Sequence, residues 1–166
     1  LSATDRDPTE SLGAVPPRLG EATVEAVAAN AVMAGCKPEY MPVLLAAVEA
    51  MLEERLNLNG IQATTNAAAP LCIISGPIVE DIGINTSTNV FGHGHRSNAT
   101  IGRAIRLILT VIGGGYPETG DKSPLGMPGK FSYCIGESLT TPWQPLHKDQ
   151  NVDSVNGVTI IGVDAP

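Results

Sequence analysis

Pro70-Leu71-Cys72-Ile73-Ile74-Ser75-Gly76-Pro77 decides the fold class of this chain. Five residues without a charge, bounded by proline on one side and Gly-Pro on the other, read as a short strand buried on both faces. Pro77 is suited to the first turn of a helix, so the strand runs through a tight turn into a short helix ending near Ile82. A buried strand feeding a helix is the unit from which α/β domains are built.

Working outward, residues 21–34 carry Val24, Val27, Ala28, Ala31 and Val32 on one helical face, with Gly35 as the stop. A second helix runs from Pro38 or Pro42 to Arg55. Its apolar residues from Val43 to Leu52 are dense enough for burial on more than one side. Asn57 to Gly60 reads as a turn and Ile61 to Thr65 as a short strand. Residues 83–98 form a polar, glycine-rich loop. Asn98 is placed to cap a third main helix from Ala99 to Ile112, closed by Gly113-Gly114-Gly115. Residues 113–130 are rich in Gly and Pro, the composition of a lid or binding loop. Phe131 to Ile135 and Val158 to Val163 complete the strands. The expectation is one α/β (or α+β) domain over residues 21–166, with short buried strands, three main helices and Gly-rich loops. Residues 1–20, polar and ending in Pro16-Pro17 and Gly20, read as a flexible arm or linker.

The chain has 166 residues, a hydrophobic fraction of 43% and a net charge of −7. That charge repels a phosphate backbone, so nucleic acid is not expected as a partner. No apolar run is long enough to span a membrane. Cys36, Cys72 and Cys134 are too few and too scattered for a disulfide framework, and they fit reduced thiols in the cytoplasm. Leu1 in place of Met fits a fragment, a processed chain or one part of a larger polypeptide.

Chemistry is expected at residues 88–103. A Gly-rich loop entering a helix N-terminus offers unsatisfied N–H groups and the positive end of a dipole to an anion. Arg96 and Arg103 would add charge-assisted grips, and Ser97, Asn98 and Thr100 neutral ones. His93 and His95, one glycine apart, with His147 as a third nitrogen, would make a divalent-metal site with an open position. The same imidazoles serve equally as acid–base groups or hydrogen-bonding residues. Cys36, at a helix junction where a dipole would depress its pKa, is a candidate nucleophile, and Glu137, following a strand, a candidate acid. Thr64, Thr65 and Asn66 would line the same pocket from the end of the expected 61–65 strand.

Four stretches together resemble one family: Asn30-Ala31-Val32-Met33-Ala34-Gly35-Cys36-Lys37-Pro38-Glu39-Tyr40, Gln62-Ala63-Thr64-Thr65-Asn66, Asn98-Ala99-Thr100-Ile101-Gly102-Arg103-Ala104 and Pro142-Trp143-Gln144-Pro145-Leu146-His147. They look like the carboxy-terminal region of the UGSC-motif proteins, bacterial proteins often labelled thioredoxin-like or thiol–disulfide isomerase-like. The resemblance spans residues 21–147. The family's naming motif, a Sec or Cys with Gly-Ser-Cys, does not occur in this chain. The resemblance therefore implies that those cysteines sit on a segment or partner subunit outside it. The leading expectation is a lyase, hydratase or hydrolase domain acting on a small anionic metabolite within a homo- or hetero-oligomer. Two alternatives stand beside it: a non-catalytic subunit completing a partner's site, and thiol redox chemistry through Cys36.

Overall fold

The computed structural model describes residues 1–164. The expected central strand is present and slightly longer: β3, Ala69–Ser75, is buried along its whole length. The described residues before it form an antiparallel pair, β1 (Ser11–Val15) and β2 (Gly20–Thr23). Two later strands flank β3: β4, Cys134–Gly136, and β5, Gly157–Val163. The order is β4-β3-β5, parallel on the β4 side and antiparallel on the β5 side. Cys72 lies opposite both Cys134 and Ile160.

Three long helices cover these strands, as the apolar periodicity requires. They are α1 (Val24–Ala34), α2 (Met41–Leu52) and α5 (Arg96–Leu107). Shorter turns occupy α3 (Leu58–Gln62), α4 (Ile78–Asp81) and α6 (Leu146–Asp149). Thr23 caps α1 by accepting the Ala26 N–H at 3.1 Å, and Gly35 ends it in the left-handed region at φ 85°. Pro42 enters α2 in its first turn, where its missing N–H costs nothing. Leu44, Met51, Ile74, Ile101, Ile108 and Leu109 are completely enclosed and join β3, α2 and α5 in one core. Such fully buried aliphatics stabilise a fold by about 1.5–3 kcal/mol each. This is a single mixed α/β domain. No helix among the described residues is long and apolar enough to cross a membrane.

Several elements depart from expectation. Residues 11–20 belong to the hairpin instead of a flexible arm, and Val15 is buried in the main core. The hairpin meets the end of the third helix closely: a side chain at Gly113 would lie 2.6 Å from the Pro16 carbonyl. Residues 61–65 do not form a strand. Asn57, left-handed at φ 52°, accepts the Gly60 N–H and starts α3 instead. Val32 is 75% exposed, and Asn30 takes the inward position on α1. Phe131 precedes β4 and is exposed. The third helix begins at Arg96, and its last turn, Ile108–Ile112, widens into a π-helix. Gly102 lets α5 approach the chain entering β4, since a side chain there would stand 2.6 Å from the Tyr133 amide nitrogen.

Candidate functional site

Because α5 starts three residues early, Asn98 is not its cap but part of its inward face. Its Oδ1 accepts the Asn85 N–H at 2.8 Å, while Nδ2 donates to the Asn85 and Cys134 carbonyls at 3.3 Å each. Ser97 donates to the Gly83 carbonyl at 2.6 Å, and Thr100 back to the Arg96 carbonyl at 2.9 Å. Arg96 points its Nε and Nη2 at the Gly35 carbonyl, 3.1 and 2.8 Å away, and so closes the C-terminus of α1. These side chains were expected to grip an anion. The structure gives each a partner within the chain: Ser97 and Asn98 satisfy backbone groups of the loop and strand that meet the first turn of α5, Arg96 those at the end of α1, and Thr100 its own helix.

The expected three-histidine set is not assembled. His93 and His95 are exposed on the loop before α5, with His95 at the N-cap position and making no capping bond. His147 is 2% exposed, and both its ring nitrogens are engaged: Nδ1 with Ser75 Oγ at 2.6 Å and Nε2 with the Ser154 carbonyl at 3.0 Å. With Nε2–H donating to that carbonyl, Nδ1 is left to accept the Ser75 hydroxyl. Among the described residues, no three His, Cys, Asp or Glu side chains gather to hold a metal ion.

The two remaining catalytic candidates are likewise committed. Cys36 donates to the Thr100 carbonyl at 3.2 Å. Burial pushes its thiol pKa up, against the smaller lowering effects of that hydrogen bond and of Arg96, so the expected dipole-activated thiolate is not formed. Glu137 accepts the Leu146 N–H with both carboxylate oxygens, at 3.3 and 3.2 Å, and thereby caps α6. Cys134 faces Cys72 across the strand pair, and that contact together with burial holds its thiol protonated.

The other end of α5 is different. Between its outer face and residues 115–130 lies a cleft of about 420 Å³, lined by Arg103, Arg106, Thr110, Asp121, Ser123 and Lys130 among others. Thr110 belongs to the π-helical turn. Lys130 is clamped by both oxygens of Asp121 at 2.7 Å and by the Asn66 carbonyl at 3.0 Å. Lys122 N–H donates to the Thr64 carbonyl at 2.8 Å, so residues 64–66 anchor the far wall through their backbone, with Thr65 exposed between them. The guanidinium of Arg103 lies 4.3 Å over the Phe131 ring.

Arg106 makes one side-chain bond, from Nη1 to Gln62 Oε1 at 3.2 Å. Its Nε and the Nε2 of Gln62, which is 2% exposed, are buried donors with no acceptor. Burial draws the Arg106 pKa below its ordinary value and Arg103 lowers it further, with Asp121 opposing. The group stays a cation, since a guanidinium is too basic to lose its proton inside a protein. Neither arginine joins an ion pair among the described residues.

No family model, curated protein or solved structure matches this chain. Function must therefore be read from these side chains. Of the residues expected to bind substrate, Arg103 lines the cleft and Thr64 and Asn66 support it. Arg106, Gln62, Asp121 and Lys130 were missed. The available signal was Arg103 and Arg106, three apart on one helix and followed directly by a Gly/Pro-rich segment.

Proposed function

We propose that this domain binds a small anionic metabolite in the Arg103–Arg106 cleft and acts on it as a lyase, hydratase or hydrolase. One observation carries the reading: two guanidiniums without carboxylate partners line a cleft of about 420 Å³ on a chain whose net charge is −7. On such an acidic surface, cations left unpaired in a concave, partly apolar site favour an anionic ligand. Asp121 and Lys130 are the cleft's acid–base groups, 2.7 Å apart and each shielded from solvent. We assign proton transfer during elimination, hydration or hydrolysis to this pair.

We also place the chain in the cytoplasm, a reading supported by the free thiols of Cys36, Cys72 and Cys134. Its likeness to UGSC-motif proteins extends the proposal to an oligomer in which a further chain or segment supplies the missing Gly-Ser-Cys.

The test is thermal stabilisation by a panel of small carboxylates, phosphate monoesters and neutral analogues, on wild type and Arg106→Leu. At least one anion should raise the melting temperature of the wild type and lose tenfold or more of its affinity in the variant, as expected for removal of a charged hydrogen-bond donor. Neutral analogues matching the anions, or Arg106→Leu binding like wild type, would remove the reading.

A further inference from the structure

Lys130 and Asp121 cancel each other across two bonds of 2.7 Å, and the remaining bond of Lys130 goes to the Asn66 carbonyl. What is left uncompensated in the cleft is Arg103 and Arg106. Residues three apart on an α-helix are neighbours on one face, so two positive charges stand a single turn from each other. Each is held where it is by an uncharged partner. Arg103 rests on Phe131, which occupies a face of the guanidinium and leaves the in-plane N–H groups free. Arg106 is tied through Nη1 to the buried Gln62.

The side-chain groups still unused are donors. They are the N–H groups of Arg103 and the Nη2 of Arg106, while Nε of Arg106 and Nε2 of Gln62 lie buried behind them. The Ser123 hydroxyl already accepts the Gly126 N–H and keeps its proton to give. A wall rich in donors, poor in acceptors and carrying two net positive charges is complementary to an oxyanion with two negative charges. A monoanion bound there would leave one guanidinium desolvated beside its like-charged neighbour, which is the costly outcome for a buried charge.

We infer that the cleft is built for a compact dianion, a short dicarboxylate or a phosphate monoester, with its negative groups shared between Arg103 and Arg106. This rests on the anion-binding reading above and narrows it. The carbon body of the ligand has Leu107, Pro117 and Leu125 to lie against. Leu125 stands 96% exposed at the rim and gains an apolar contact once the cleft is filled.

Isothermal titration of the full chain at low salt, with succinate, phenyl phosphate and butyrate, tests this. At neutral pH the first two are dianions and the third a monoanion. At least one dianion should bind about tenfold or more tightly than butyrate, a gap of about 1.4 kcal/mol. The gap should shrink to threefold or less in Arg103→Gln and in Arg106→Gln. Whichever dianion wins distinguishes paired carboxylates from a phosphate. Butyrate binding as tightly as both dianions overturns the inference and leaves the anion reading standing. Absence of binding by all three, with the fold intact by circular dichroism, overturns both.

A second measurement needs no variant. Phenyl phosphate loses its second charge below about pH 6. Its affinity for wild type, relative to that of butyrate, should therefore fall severalfold between about pH 7.5 and pH 5. Where phenyl phosphate is the dianion that binds, a flat ratio also overturns the inference.

Discussion

Replacing Asn98 with alanine tests how α5 is held. The side chain makes three buried hydrogen bonds, to the Asn85 N–H, the Asn85 carbonyl and the Cys134 carbonyl. At about 1 kcal/mol net each, they account for about 3 kcal/mol. The Asn85 N–H is then stranded beneath the helix, which raises the expected loss to about 4 kcal/mol. In a chain of this size that is a fall of about 10 °C in Tm, or about 2 M in the urea midpoint at a slope near 2 kcal/mol/M. Urea unfolding followed by circular dichroism, with the slope unchanged, is the assay. Asn98→Asp supplies the sign: it keeps the acceptor for Asn85 but turns a carboxylate oxygen toward two carbonyls, so the folded state holds a proton to higher pH than the unfolded chain. Its stability relative to wild type should worsen as pH rises through the acid range and recover on acidification. An Asn98→Ala variant within 1 kcal/mol of wild type would refute the view that this residue joins the loop, α5 and β4.

Ser75→Ala should cost about 2 kcal/mol by leaving Nδ1 of His147 buried without its partner, and should increase proteolytic cutting between residues 138 and 156. His147→Ala should act in the same direction. Cys36 should alkylate with iodoacetamide no faster than a free thiol at pH 7, because burial raises its pKa, and faster reaction would count against the hydrogen-bonded position described. Cys36 and Cys134 both keep their protons to higher pH in the fold than in the unfolded chain. The stability they contribute is complete below the ordinary thiol range and is lost as pH climbs through their raised values; urea midpoints measured from pH 7 to pH 10 should show the decline.

What the sequence disclosed follows the strength of the local signals. The uncharged run at residues 71–75, framed by Pro70 and Gly76-Pro77, has one comfortable environment, and β3 is there. The helices α1, α2 and α5 carry their own periodicity. The hairpin at 11–23 was hidden because its strands are short and broken by Gly13, Pro16 and Pro17, and its pairing depends on contact with the end of the third helix. Asn98 was misread because an amide at a helix start is equally good at capping the helix and at satisfying another segment's backbone. Local sequence does not say which segment will arrive there. The cleft was half visible: residues 113–130 read as a lid or binding loop and Arg103 as a binder. Arg106 carried no reading of its own, since only the fold brings Gln62 and Lys130 around it.

The central position of β3 has a consequence for how the chain is made. Its antiparallel neighbour lies far along the chain, with Ser75 and Gly157 82 residues apart, and its parallel neighbour β4 is also distant. During synthesis the first two long helices can form from local contacts, while Leu71-Cys72-Ile73-Ile74 waits with both edges open. An uncharged, β-prone segment in that state is a template for pairing with other nascent chains. Slowing translation between residues 75 and 157 should therefore lower soluble yield, and chaperone holding over that interval should restore it.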